Sequence, residues 1–412
     1  MTGRAYLDWN STAPLRPAAR EAVAAALALV GNPSSVHGEG RAARRLIEEA
    51  RAEVAALVGA DGRNVIFTSG GTEANALALS PAVESQGHKI CDRLLVSAIE
   101  HPSVLAGGRF ADPTKIAVHP DGIVDLAALE AALANGPRAL VSLMAANNET
   151  GVVQPVAAAA EIVHRAGGLL HVDAVQAAGR MTLDINALDA DLMTLSAHKL
   201  GGPKGVGALI VRDGVHVDPL IRGGGQERGA RAGTENVSGV AAWGAAAAAT
   251  RAHLVAECSH MAAQRGKLEA GIMAATPQAV IFGSAVERLP NTTLVAVPGA
   301  KAETLVIAFD LDGVAVSSGA ACSSGKVAPS HVLAAMGIEP ALARGAVRVS
   351  VGPTTTDAEI DRFLNVWKRL TQSLSKGEKR GLAAASGGSP PERKGDLRSR
   401  DEHHNRQPTR GP

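Results

Sequence analysis

Five short stretches of this chain hold side chains suited to chemistry rather than packing. In "SAHKLGGPKG", Lys199 follows an apolar run and lies between Ser196, His198 and a glycine-rich return. Lysines rarely sit there for packing, and an amine beside hydroxyls suits a Schiff base to an aldehyde cofactor. Lys204 is the alternative amine, in a Pro/Gly setting that reads better as a turn. In "LLHVDAVQ", Asp173 ends an apolar run. A buried carboxylate is costly unless it meets a cation or several donors. A protonated pyridine nitrogen is one such cation; an arginine in a structural pair is the competing account. "FTSGGTEANALAL" reads as strand, glycine turn and helix, where Gly71, Thr72 and free N–H groups could hold a phosphate. The same residues could serve only as a tight turn with Thr72 as a cap. His101 in "IEHPSVL" lies just past a strand end, as a catalytic or merely hydrogen-bonded histidine. In "SSGAACSSGK", Cys322 has neither a packing environment nor a disulfide partner, and the small residues around it read as a mobile loop.

These residues need elements to position them. Apolar runs at 64–69, 93–98, 139–145, 169–174, 191–196 and 207–212 read as strands. Helical patterns, such as 40–59 and 125–135, alternate with them. That alternation predicts an α/β domain with a mostly parallel sheet, where ligands gather at the carboxyl ends of strands. The turn "ANNETG" (146–151), with Asn148, follows a strand on that rim or serves only as a turn with side-chain caps, and the loop "RGGGQERGARAGTEN" (222–236), with Thr234, reads as an anion-binding loop or a subunit contact. A long Ala-rich helix over 237–275 leads to a second pattern of short runs, including "AVRVSVG" with Arg348. We expect a large domain over 13–250 and a smaller α+β domain made of 1–12 and 251–376. Residues 376–412 carry nine Lys/Arg and five Asp/Glu with little apolar surface, so 377–412 is expected to be a disordered polar tail. Its His403–His404 pair is not expected to be a metal site.

Composition narrows the function. Among 412 residues, 46% are hydrophobic and 20% charged, and the net charge is +1. No overall charge favours nucleic acid or a membrane surface. Three distant cysteines, Cys91, Cys258 and Cys322, argue against a disulfide framework and for a reducing compartment. The first residues lack an apolar signal core, and no apolar run is long enough for a membrane span, so a cytoplasmic location is expected. Taken together, the phosphate cradle, the lysine and the ring-nitrogen partner describe a pyridoxal phosphate site.

The chain resembles the cysteine desulfurases of the NifS/IscS type, within the class V aminotransferase family. "LDWNSTAP", "NPSSVHGEGR", "FTSGGTEANALAL", "EHPSVL", "NNETGVVQP", "HVDAVQAAG", "SAHKLGGPKGVGAL", "GGGQERGARAGTEN" and "VSSGAACSSG" occur in the family's order, across about residues 5–370. The resemblance implies a fold-type I pyridoxal phosphate enzyme. It implies a homodimer that takes sulfur from L-cysteine, leaving L-alanine and a persulfide on Cys322. By the same resemblance, Lys199 forms the Schiff base and Asp173 pairs with the pyridine nitrogen. Gln176 meets the phenolic oxygen. Gly71, Thr72, Ser196 and His198 hold the phosphate, with Thr234 reaching it from the other subunit. His101 stacks on the ring and moves protons. Asn148, Arg348 and Asn32 are candidates for the substrate carboxylate, Asn148 also for the cofactor. The expected partner is a sulfur acceptor or an iron–sulfur scaffold protein. Pro353 departs from the family's usual arginine. A selenocysteine lyase, a small-substrate aminotransferase and a non-catalytic scaffold of the same fold are the alternatives.

Overall fold

The expected runs become strands of one seven-stranded sheet. They are β1 (Val65–Thr68), β2 (Arg93–Ser97), β3 (Thr114–Ile116), β4 (Ala139–Met144), β5 (Leu169–Asp173), β6 (Leu192–Ser196) and β7 (Gly207–Val211). This computed structural model describes residues 3–85, 88–89, 91–319 and 330–386, so Cys322 lies outside the described residues. The strand order is β1-β7-β6-β5-β4-β2-β3. All pairings are parallel except those of β7, which runs antiparallel to both neighbours. Strand β3 was not anticipated. Its three residues are short of an apolar run, and two of them are exposed at the sheet edge.

Helices bury both faces, which is why the central strands are apolar without alternation. One face is covered by α1 (Pro17–Leu27), α2 (Gly38–Ala56) and other helices. The other face packs against α3 (Gly71–Ala78), through Ala74, Leu77 and Ala78. The 39-residue helix α4 (Val237–Ala275) crosses α2 closely. Gly244 permits this, because a Cβ there would stand 2.5 Å from the Cα of Ala50. Asn236 caps α4 by accepting the Gly239 N–H.

A second sheet is antiparallel, in the order β8-β9-β11-β10. Its strands are β8 (Val280–Ile281), β9 (Thr292–Ala296), β10 (Ser317–Ser318) and β11 (Val347–Ser350). The chain's first segment joins this side: Ala5–Tyr6 pairs with Val314–Ala315, and Asp8 bridges Ser350. The residues through Thr371 form one compact unit. Helix α5 runs from Asp357 to Ser386 and so takes in the first ten residues of the stretch expected to be a disordered tail, while 387–412 lie outside the described residues. The segment "GEKRGLAAAS" is rich in helix formers, which the compositional reading of a polar tail undervalued. Among the described residues, no helix is long and apolar enough to cross a membrane.

Candidate active site

The carboxyl ends of β4, β5 and β6 open into a cavity of about 310 Å³. Strand β5 delivers Asp173 to its wall and β6 delivers Ser196. Lys199 follows in a short 3-10 turn. Gly71 and Thr72 start α3 at the same rim, and β11 brings Arg348 from the second sheet. The glycine turn before α3 needs close backbone contact. A Cβ on Gly207 of β7 would come within 2.4 Å of the Gly70 backbone, so glycine there lets the turn lie on the sheet.

Asp173 is 6% exposed. Its Oδ2 accepts from Asn75 Nδ2 at 2.9 Å, and its Oδ1 accepts from the Val175 N–H at 3.0 Å. Both donors are neutral, and no described cation forms an ion pair with it, which disfavours the arginine account. The Asn75 amide also donates to Ser103 Oγ at 2.9 Å, and that hydroxyl lies 2.7 Å from His101 Nδ1. Nδ1 also accepts the Ser103 N–H at 3.2 Å. Nδ1 is therefore the acceptor, and Nε2 carries the proton of the neutral ring. Burial, aided by the Lys199 ammonium, holds His101 below the usual histidine range against the pull of Asp173.

Lys199 Nζ donates to the carbonyls of Asn10 at 2.7 Å and Ser11 at 2.8 Å. Gln176 Nε2 donates to the same Asn10 carbonyl at 3.1 Å. His198 pairs through Nδ1 with Thr12 Oγ1 at 3.2 Å. Burial, with Lys199, Lys204 and Arg180 nearby, pushes it down to about 4. Gly71, Thr72, Ser196 and His198 also border a more open cavity that reaches the exposed Lys204.

Arg348 is 2% exposed. It donates to the Asn148 carbonyl at 3.0 Å, to Asp8 Oδ1 at 3.0 Å and to Ser11 Oγ at 2.8 Å, while its buried Nε has no partner. Asn148 lines the cavity with it. Two buried carboxyls flank this wall. Burial, with Asp173 nearby, holds Glu100 well above the usual carboxylate range. Burial pushes Glu149 up to about 7, although the Ser330 hydroxyl donates to it and Arg348 is close.

The cavity thus gathers Lys199, His101, Asp173, Gln176, Ser196 and His198, together with Gly71, Thr72, Asn148 and Arg348. Asn32 is not among them; it is exposed, and its side chain accepts from the Ser34 N–H. Thr234 is exposed too and borders a different cavity with Ser69 and Gly205. The sequence reading missed Asn10, Ser11, Asn75 and Ser103. For Asn75 a signal existed: it lies four residues after Gly71, on the first turns of the same helix. Asn10 and Ser11 lie in the family-like stretch "LDWNSTAP", but the sequence reading assigned neither a role. Pro353 borders a second cavity of about 190 Å³, with Trp9, Arg180, Leu200 and Met261; Lys199 lies between the two cavities.

Pyridoxal phosphate fits this donor set. A buried carboxylate held only by neutral donors suits a cationic ring nitrogen. The start of α3, with hydroxyls of Thr72 and Ser196, suits a phosphate.

The aminotransferase class-V family profile matches residues 5–363. A cysteine desulfurase of Cereibacter sphaeroides is 46% identical over 90% of this chain and 96% of its own length. One from Gluconacetobacter diazotrophicus is 41% identical over 94% of this chain and 98% of its own length. The crystal structure of a NifS-like protein from Rickettsia africae superposes with a TM-score of 0.83 at 35% identity, covering 90% of this chain and all of that one.

Proposed function

This chain belongs to the aminotransferase class-V family and acts as a cysteine desulfurase, and we propose how its residues divide that work. The observation that carries the proposal is the meeting of Lys199, Asp173 and Arg348 on one cavity from three separate parts of the fold. The net reaction is L-cysteine plus a protein thiol giving L-alanine plus a protein persulfide. A sulfur–sulfur bond forms as the substrate's carbon–sulfur bond breaks, and the carbon keeps that electron pair and takes a proton.

Pyridoxal phosphate, when bound, supplies an electron sink for charge at the α-carbon of the amino acid. Asp173 keeps its ring nitrogen protonated, and Asn75 and the Val175 N–H hold that carboxylate in place. Gly71, Thr72, Ser196 and His198 take the phosphate, with Thr234 of a second subunit completing the cradle in a homodimer. Lys199 is the amine that carries the cofactor, and it moves protons at the α-carbon. His101 would stack on the ring of the bound cofactor, where the N–H at Nε2 of its neutral ring can donate a hydrogen bond, and the imidazole takes part in proton transfers by gaining and returning a proton. Arg348, already fixed by Asp8 and Ser11, binds the substrate carboxylate with Asn148. Cys322 accepts the sulfur and hands it to an acceptor protein or iron–sulfur scaffold.

The other two thiols suit this less well. Burial pushes the Cys91 thiol up to about 12 and raises that of Cys258, so neither is ready to ionise. The test is to treat the purified chain, loaded with pyridoxal phosphate, with L-cysteine. We expect equal alanine and persulfide, with the added sulfur mapped to Cys322. Alanine without any protein persulfide, or sulfur on Cys91 or Cys258 alone, would overturn the assignment of Cys322.

A further inference from the structure

Arg180 is a buried cation without an acid. It is 5% exposed, and no described carboxylate forms an ion pair with it. Burial, with Arg348 nearby, lowers it to about 9. Its guanidinium instead spends its donors on oxygens behind the site. Nη1 donates to the Gln176 carbonyl at 2.8 Å and to the Gln176 side-chain oxygen. Nη2 donates to the Lys199 carbonyl at 3.2 Å and to the Trp9 carbonyl at 3.3 Å. A buried charge held by neutral oxygens alone costs stability, so it calls for a reason in function.

The reason lies in the Gln176 amide. A guanidinium has donors and no acceptor, so only the oxygen of an amide can face it. With Oε1 fixed on Arg180, Nε2 is turned toward the Asn10 carbonyl and the cavity. We propose that Arg180 is a positioning residue: by gripping Gln176 Oε1 together with the Lys199 and Trp9 carbonyls, it makes Gln176 present an N–H, never its carbonyl, to the group in the cavity. This rests on the reading that pyridoxal phosphate fills the cavity. An N–H there stabilises the phenolic oxygen as an anion, whereas a flipped amide would oppose it. Holding the Lys199 carbonyl at the same time ties the amine-bearing residue to the same anchor.

The test uses the full chain incubated with pyridoxal phosphate and no substrate, following the visible absorption band of the bound cofactor against pH. Wild type is compared with Arg180→Met, Arg180→Lys, Gln176→Leu and the double variant Arg180→Met/Gln176→Leu. We expect Arg180→Met and Gln176→Leu to raise the titration midpoint by roughly one unit each. The double variant should shift no further than Gln176→Leu alone, and Arg180→Lys, which keeps a donor at that place, should stay close to wild type. A folded, loaded Arg180→Met protein that titrates as wild type does overturns the proposal. So does a double variant whose shift is the sum of the two single shifts, since Arg180 would then act through its charge and not through Gln176. If Arg180→Met does not fold, Arg180→Gln takes its place under the same criteria. A wild-type chain that gains no visible band overturns the premise, and the proposal with it; a band in wild type and altered titration in none of the variants overturns the proposal alone.

Discussion

Strands β5 and β6 have two very different ends. At the amino ends, every charge has a partner. Asp191 accepts from His164 Nε2 and from the Leu170 N–H, both at 2.8 Å. Asp189 accepts from His164 Nδ1 at 2.9 Å and from Arg212 at 2.6 Å. Hydrogen bonding to Asp191 raises His164, so its charged form is favoured. Further along, buried groups in the middle of β5 and in the neighbouring loop after β2 are pushed toward their neutral forms. Burial lowers His171 to about 4, between Ser142 and Thr194, and holds Glu100 well above the usual range. Asp173 meets only neutral donors. One end of the sheet uses ionisable groups to hold strands together. The other keeps them desolvated for a ligand that brings its own charges.

Substitutions can break this contrast, starting with the largest effect. Lys199→Ala should lower sulfide release from L-cysteine by at least about 10³-fold while the chain stays folded. Asp173→Asn should cost about 10²-fold in turnover with no loss of melting temperature, because no ion pair is broken. Asp191→Ala should do the reverse. It removes the acceptor shared by His164 and Leu170, so unfolding free energy should fall by about 2 kcal/mol with turnover unchanged. A loss of turnover there without a loss of stability would erase the distinction between the two ends.

The pH dependence sharpens it. His164 is raised in the folded chain, so its stabilisation is complete below about 6.5, the unfolded value, and fades as pH rises through the folded value. His171 is depressed to about 4, so its neutral burial loses stability as pH falls from about 6.5 toward 4. Melting temperature measured against pH should show His164→Gln flattening the alkaline limb and His171→Gln flattening the acid limb. The smallest effects belong to the other thiols. Cys91→Ala and Cys258→Ala should leave sulfide release largely intact, as measured with L-cysteine and a small-molecule reductant.

The sequence by itself determined the α/β class and most of the central strands, because burial on both faces writes a strand as an uninterrupted apolar run. It also placed Lys199, Asp173 and His101 just after such runs, where parallel sheets expose their loops. Only the tertiary structure joined residues 10, 11 and 348 to that rim. Their partners lie across the chain: Asn10 meets Lys199 and Gln176, and Arg348 meets Asp8 and Ser11. No local pattern encodes contacts over such separations. The relay from Asp173 through Asn75 and Ser103 to His101 has the same origin, since it crosses from a strand to two helices. The structure also left Asn32 and Thr234 outside the cavity of this single chain. Side-chain type shows what a residue could do; which neighbours it meets is decided by how the layers pack.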